Sequence, residues 1–181
     1  TTTTTTTTIV QSRNETRRAD VSTKMTLGNV MGNVIKKGKN TKNLLSDDLI
    51  ELFQRVVLGK DSNIRWATAV YESKNKLIIG ASGTGGFVEM KKYLSDDEII
   101  FGIIRCSVIS AANVKKEVSF LVSSIGMNVS NGVNRGKAAV HGAAIKKMYE
   151  GKVQYIYMAT DKDDLNVGVV EEKVLSFFKV N

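Results

Sequence analysis

The sequence of 181 residues contains no proline, one cysteine, one histidine and no long apolar run. A single cysteine cannot close an internal disulfide or build a cysteine-based zinc site, and a single histidine excludes metal sites that need two imidazoles. A membrane-spanning helix needs about 18 or more consecutive apolar residues, so none is predicted. These absences exclude disulfide-stabilised scaffolds and most metal-binding classes, and they predict a protein of a reducing compartment such as the cytosol.

Catalytic motifs are also scarce. His141 is the one imidazole that could act as a general base, and no G-x-S-x-G sequence supplies a nucleophilic serine. A glycine cluster at 80–86 follows a predicted strand and precedes a predicted helix, as a phosphate-binding loop does. However, Val88 stands where a dinucleotide-binding pattern starting at Gly83 needs glycine, and Phe87 stands where a Walker loop needs lysine. The sequence therefore predicts no enzymatic activity, no cofactor and no small-molecule substrate.

Positive charge is distributed unevenly along the chain. Of 26 Lys and Arg and 18 Asp and Glu in total, residues 1–44 hold eight basic and two acidic ones, a net charge of +6. Residues 45–181 hold 18 basic and 16 acidic ones, a net charge of +2. The first segment also begins with eight threonines and lacks aromatic residues, so it cannot bury enough surface to offset its ordering entropy. We therefore predict a disordered basic arm over 1–44 and one folded domain over 45–181.

The basic arm leaves two alternatives open. Its composition, rich in arginine and threonine and poor in acids, is also typical of a mitochondrial transit peptide. Clustered cations are typical of segments that bind nucleic acid or an anionic membrane, although this one has no aromatic residues for base stacking. An arm that binds such a polyanion, with the folded domain as its scaffold, is the alternative functional hypothesis.

Hydrophobic spacing predicts alternating helices and strands in the folded part. Ser46 is a suitable N-cap, and apolar residues follow it at helical spacing until Gly59. Later apolar runs barely alternate with polar residues, which is typical of strands buried on both faces. The predicted elements are helices at 47–58, 87–94, 133–150 and 169–178, and strands at 66–72, 76–81, 99–108, 118–125 and 153–159. This order predicts an α/β (α+β) fold with a mixed sheet of about five strands flanked by helices on both faces.

The long helix predicted in the last third carries an unusual arrangement of charge. A helical wheel places Val140 in an apolar arc with His141 at its flank, where a hydrogen-bonded packing role is predicted for the imidazole. Arg135 and Lys146 lie on the opposite side of the wheel. Cations at the beginning of a helix oppose its dipole and give no folding benefit. We predict that Arg135 and Lys137 lie on a protruding helix end. We interpret them, with Lys146, as part of a partner-binding surface. The alternative is a polar helix end that is simply exposed to solvent.

Six sequence motifs follow one another along the folded part. They are 66–72 (WATAVYE), 83–90 (GTGGFVEM), 100–105 (IFGIIR), 124–129 (SIGMNV), 133–141 (VNRGKAAVH) and 172–174 (EKV). In this order they resemble the actin-depolymerising-factor homology (ADF-H) domain, and within it the coactosin and drebrin-like branch. The resemblance covers about residues 46–178, essentially the whole predicted domain.

The resemblance implies a gelsolin-like fold with a five- or six-stranded mixed sheet between helices. It also implies a cytoplasmic protein of the cytoskeleton that binds actin, filaments in preference to monomers, without catalysis. In this family the start of the long helix contacts actin, and a charged strand connection and the terminal helix form a second contact region used on filaments. The implied contact residues are Arg135 and Lys137 on the long helix, Lys115, Lys116 and Glu117 in the connection, and Glu171, Glu172 and Lys173 on the terminal helix.

Three features depart from the family pattern. Asn134 stands where drebrin-like members tend to have a basic residue, and Val118 stands where coactosins carry a lysine used in filament binding. Members of the family also usually begin close to the first helix, so the basic arm has no counterpart in the resemblance.

Overall fold

The computed structural model describes residues 44–59, 63–109, 114–130, 132–161 and 163–180. Its elements have the predicted order αββαββαβα. They are the helices α1 (Asp47–Leu58), α2 (Phe87–Lys91), α3 (Gly132–Met148) and α4 (Val167–Val180), and the strands β1 (Trp66–Ser73), β2 (Lys76–Gly83), β3 (Ile99–Ile109), β4 (Lys115–Ile125) and β5 (Val153–Ala159). Within this part of the chain, no helix has the length and apolar character needed to cross a membrane.

The five strands form one mixed sheet in the order β2-β1-β3-β4-β5. Neighbouring strands are antiparallel except β4 and β5, which are parallel and are joined through α3. Strands β3 and β4 pair along their whole length, from Ile99 opposite Ile125 to Ile109 opposite Lys115. The predicted fold class is confirmed.

Apolar side chains fill both faces of the sheet. Helices α1 and α3 cover one face, where the core includes Phe53, Phe101 and Leu121. Helices α2 and α4 cover the other face, where the core includes Trp66 and Tyr157. Strands β3 and β4 lie inside the sheet and are buried over most of their length, so their sequences read as continuous apolar runs.

The described chain begins beside the edge strand β2. The Leu77 amide donates a hydrogen bond to the Leu44 carbonyl at 2.7 Å, and the Leu44 side chain is buried. Leu44 therefore packs with the folded domain, although the prediction assigned it to the arm. The rest of the predicted arm, with the nucleic-acid or membrane contact suggested for it, lies outside the described residues.

The connection between β3 and β4 is shorter than predicted. Lys115, Lys116 and Glu117 were predicted to lie outside the strands, but they form the first three residues of β4 and pair with Ile109, Val108 and Ser107. All three are exposed, whereas the eight residues after them are buried. The prediction was wrong because this end of the strand is exposed, and a polar sequence there resembles a loop.

Candidate functional site

Helix α3 presents apolar side chains to solvent in its first three turns. Val133 is 68% exposed and Val140 is 66% exposed. Gly136 and Ala143 are also exposed, and the spacing of three, four and three residues places all four on one side of the helix. We call this side, formed by Val133, Gly136, Val140 and Ala143, the α3 stripe. Exposed apolar patches are typical of surfaces that bind another protein.

The opposite side of α3 rests on the sheet. Ala138 in the first half of the helix and Gly142 just past its middle are buried, and larger residues such as Ile145 are buried after them. A methyl group added at Gly142 would meet Phe101 Cε1 at 3.6 Å, an ordinary contact distance, so the helix lies close to the sheet. The prediction that Val140 belongs to the buried apolar side is wrong, because the residues that face the sheet here are small rather than strongly hydrophobic.

Arg135 and Lys137 flank the α3 stripe on its two sides. Both are half-buried, so the predicted protruding helix end is wrong. Arg135 Nη1 donates a hydrogen bond to the Val129 carbonyl at 3.4 Å. The loop that precedes the helix is hydrogen-bonded next to the sheet. The Gly126 amide donates to the carbonyl of Glu98, the residue before β3, at 3.0 Å. The two cations therefore lie against the body of the domain, on either side of an apolar surface.

A groove of about 340 Å³ lies between the start of α3 and the end of the β1–β2 hairpin. Asn134 and Lys137 line its helix side, Tyr71 and Glu72 line it from β1, and acidic residues 97–98 close it from the start of β3. In the part of the chain that the structure describes, no three His, Cys, Asp or Glu side chains are placed to hold a metal ion. The groove thus offers polar groups of both charges beside the α3 stripe.

His141 on α3 is hydrogen-bonded to Tyr71 on β1. The Tyr71 hydroxyl oxygen and His141 Nδ1 are 2.7 Å apart. Burial raises the pKa of Tyr71 to about 12, so its hydroxyl keeps its proton, and the tautomer of His141 decides which of the two groups donates. Burial, followed by the nearby charge of Lys137, lowers the pKa of His141 below its ordinary value. The prediction that His141 is a hydrogen-bonded packing residue is confirmed.

Folding stability is expected to decrease on acidification below pH 6.5, the ordinary pKa of histidine. Because the pKa of His141 is lower in the folded chain, the unfolded chain takes up the proton first. The stability that the neutral imidazole contributes is therefore complete above pH 6.5 and is lost between pH 6.5 and the folded-state pKa. Urea unfolding at about pH 7.5 and about pH 5.5 measures the loss.

The matched control for this pH dependence is His141→Gln, because His141 is the single histidine of the sequence. The variant has no imidazole and is expected to lose less stability than the wild type over the same pH interval. An equal loss in both proteins would assign the effect to other groups.

Among the residues predicted for a second contact region, some side chains are exposed and others form ion pairs within the domain. Lys115 and Lys116 are exposed at the start of β4. Glu117 Oε2 lies 3.8 Å from Arg65 Nη2 and 3.9 Å from Arg105 Nε, so its carboxylate forms ion pairs within the domain. On this strand, the two lysines are therefore better placed than Glu117 to contact a partner.

On helix α4, Glu171 and Glu172 are exposed. Lys173 is exposed as well, but its Nζ lies 3.6 Å from Asp164 Oδ1 and 5.4 Å from the centroid of the Tyr157 ring. A cation held by a carboxylate and an aromatic face is partly neutralised. Among the α4 candidates, the two glutamates carry the freer charges.

The register of β4 separates the candidate residues into two groups. The start of α3 adjoins Ile99, whose partner is Ile125, whereas Lys115 pairs with Ile109 at the other end. At about 3.3 Å per residue, these two ends of β4 are about 33 Å apart. Lys146 lies half-buried farther along α3. The structure thus arranges the predicted residues as separate surfaces and not as one site.

The two positions that depart from the family pattern differ in exposure. Asn134 is exposed and lines the groove. Val118 is only 5% exposed, because its side chain faces the core from β4. A lysine-like contact at position 118 is therefore excluded here, and Lys116 is the nearest exposed cation on this strand.

Several exposed residues were not predicted as part of the site. Val133 and Val140 are absent from the predicted set, as is Met127, which is 52% exposed in the loop before α3. The seven-residue spacing of the two valines was the available signal for a second apolar side of the helix. Tyr71 is 70 residues from His141, so no local pattern could pair them.

Comparison with known proteins finds a matching family and a similar protein. The model of the family described as cofilin/tropomyosin-type actin-binding protein matches residues 44–175. Coactosin from Dictyostelium discoideum is 28% identical over 123 residues, which cover 65% of this chain and 80% of that protein.

Solved structures agree with this assignment at the level of the fold. The crystal structure of coactosin from Entamoeba histolytica has a TM-score of 0.62 at 22% identity, covering 75% of this chain and 97% of that one. The solution structure of mouse coactosin, an actin filament binding protein, has a TM-score of 0.57 at 17% identity, covering 73% and 89%. The family match spans nearly all of the described domain and confirms the ADF-H resemblance, and the chain therefore belongs to the family of cofilin/tropomyosin-type actin-binding proteins.

Proposed function

We propose that this protein binds actin filaments in preference to actin monomers, through two surfaces at opposite ends of its sheet, and acts at the cytoskeleton in the cytoplasm. Actin binding follows from the family, and the family is not catalytic. The observation that carries the proposal is the α3 stripe, an exposed apolar surface flanked by Arg135 and Lys137.

The chemistry of the α3 stripe suits a protein partner. Burial of Val133 and Val140 against another apolar surface removes them from water, which stabilises a complex by about 25 cal/mol per Å² of apolar area. Gly136 between them has no side chain, so a partner can approach the helix backbone closely. Arg135 and Lys137 on the two flanks add attraction to an acidic partner such as actin and fix its orientation.

The distance between the two surfaces supports a preference for filaments. The end of β4 with Lys115 and Lys116 is about 33 Å from the end beside α3, so both surfaces reach a single partner only if that partner is large. Two neighbouring subunits of a filament can offer one contact to each surface, and the second contact is then intramolecular. Mouse coactosin, which has the same fold, is an actin filament binding protein.

Co-sedimentation with actin filaments over a series of salt concentrations tests this function, with binding to monomers measured in parallel. We expect pelleting that weakens as salt increases, because flanking cations contribute to the affinity. An absence of both pelleting and monomer binding would contradict actin binding by this domain. Equal affinity for monomers and filaments would contradict the preference.

Reversing the charge at the far end of the sheet is expected to reduce filament binding selectively. The double variant Lys115→Glu and Lys116→Glu should lower the affinity for filaments by about 3- to 10-fold, since two exposed cations each contribute well under about 1 kcal/mol. Monomer binding through the α3 stripe should not change. Lys91→Glu with Lys92→Glu, two exposed residues at the end of α2, is the matched control for total charge. Loss of monomer binding in the first variant would argue against separate surfaces.

A further inference from the structure

The two halves of α3 are held on the sheet in different ways. In the second half, Ile145 and Tyr149 are buried, and the Tyr149 hydroxyl donates to the Ile50 carbonyl at 3.2 Å. Before that, Ala138 in the first half and Gly142 just past the middle face the sheet. Such small residues do not interlock with a neighbouring surface, so packing alone restrains the rotation of this half only weakly.

The first half, which carries most of the α3 stripe, has a polar attachment instead. The Tyr71 hydroxyl and His141 Nδ1 form a hydrogen bond of 2.7 Å. Tyr71 is itself fixed to the sheet, because it belongs to β1 and its ring packs edge-on against Phe101, with centroids 6.0 Å apart and an angle of 72° between the ring planes. The hydrogen bond therefore connects the partner-binding helix to a rigid strand.

We propose that Tyr71 is a positioning residue for actin binding: its hydrogen bond to His141 holds the first half of α3 in the rotation that turns the α3 stripe outward. The inference rests on the proposed function of that stripe. Without the bond, small-residue contacts and the 3.4 Å hydrogen bond from Arg135 to Val129 are among the restraints that remain on the first half. Rotation would then turn the α3 stripe, together with Arg135 and Lys137, away from its outward orientation.

The surroundings of His141 favour its neutral imidazole, because burial and the charge of Lys137 lower its pKa. Lys137, one turn earlier on α3, and Tyr71 from β1 are its immediate ionisable neighbours. Other charged groups line the groove that Tyr71 and Lys137 share, namely Glu72, Lys74, Asp97 and Glu98. The tyrosine hydroxyl can donate to Nδ1 or accept from it, so the neutral imidazole forms this bond in either tautomer.

The test is Tyr71→Phe, which keeps the aromatic ring on Phe101 and removes the hydroxyl. At neutral pH, with folding confirmed by circular dichroism, the variant should bind filaments about 3- to 10-fold more weakly, the range expected for one net hydrogen bond. Tyr93→Phe is the matched control. Tyr93 is 52% exposed, and its ring contacts Trp66, which belongs to the core on the face of the sheet opposite α3. An unchanged affinity of Tyr71→Phe would overturn the proposal.

A rescue experiment separates positioning from general destabilisation. In His141→Gln the side-chain carbonyl can still accept from Tyr71, so binding should stay near the wild-type value. His141→Leu cannot accept and should bind as weakly as Tyr71→Phe, and the double variant Tyr71→Phe/His141→Leu should be no weaker than either single one. Effects that multiply in the double variant would show that the two residues act independently and would contradict the proposal.

Amide hydrogen exchange measures the same restraint without a partner. Tyr71→Phe should accelerate exchange at 136–142 and leave the amides of Ile145 and Met148 nearly unchanged. This result would support the proposal even if the wild-type protein failed to bind actin, which would contradict only the proposed function. Uniform exchange rates along α3 in both proteins would overturn the positioning role.

Discussion

Replacing Val140 by aspartate is expected to weaken binding to actin filaments by about 30-fold or more. Val140 is 66% exposed in the middle of the α3 stripe, and burying a valine in an interface contributes up to about 2 kcal/mol, which corresponds to about 30-fold in affinity. An unpaired carboxylate at this position must also be dehydrated on binding, which adds to the loss.

The same substitution should hardly change folding stability. The side chain makes few contacts within the domain, and valine and aspartate have similar helix propensities, so the free energy of unfolding should change by less than about 0.5 kcal/mol. Val88→Asp on α2 is the matched control, because Val88 is 59% exposed but lies outside the α3 stripe. Equal binding by both variants would place the interface elsewhere on the domain.

Removing the two flanking cations is expected to have the next largest effect. Arg135→Ala combined with Lys137→Ala should lower filament affinity by about 10-fold at low salt. The remaining binding should depend less on salt, because charges at the edge of an interface act through long-range electrostatic attraction that salt screens. The effect on unfolding should be below about 1 kcal/mol, since the hydrogen bond that Arg135 donates to Val129 is long, at 3.4 Å. Co-sedimentation over a salt series measures the change.

Lys91→Ala with Lys92→Ala removes the same total charge from exposed positions at the end of α2 and controls for non-specific attraction. It should retain most of the binding. If both double variants lose affinity equally, net charge rather than the placement of Arg135 and Lys137 governs the interaction.

Much of the fold was accessible from the sequence because several elements have strong local signals. Helix α1 was predicted with its observed bounds, since the Ser46 side chain accepts from the Leu49 amide at its start and Gly59 has φ 62° at its end. Strand β5 was predicted with its observed bounds, as glycine and a lysine at 151–152 precede its apolar run. These signals depend only on neighbouring residues, so they can be recognised in the sequence without knowledge of the tertiary structure.

The candidate site was harder to predict because its key features depend on which side of a helix meets the sheet. Hydrophobicity alone assigned Val140 to the buried side of α3, whereas Ala138 and Gly142 occupy that side. The ion pairs of Glu117 with Arg65 and Arg105 join three separate segments and leave no mark in the local sequence. The resemblance nevertheless identified the correct family.

The β3–β4 ladder, which is paired along its whole length, fixes the distance between the two proposed contact surfaces. Each strand has eleven residues, and pairing is unbroken from Ile99 opposite Ile125 to Ile109 opposite Lys115. Its length is set by residue number, so the spacing between the end beside α3 and the lysine end cannot adapt continuously to a partner. Adding one residue pair to the ladder would lengthen it by about 3.3 Å and also turn every following side chain to the opposite face. The spacing therefore changes only in steps of two residue pairs, about 6.6 Å, if the faces are to be kept.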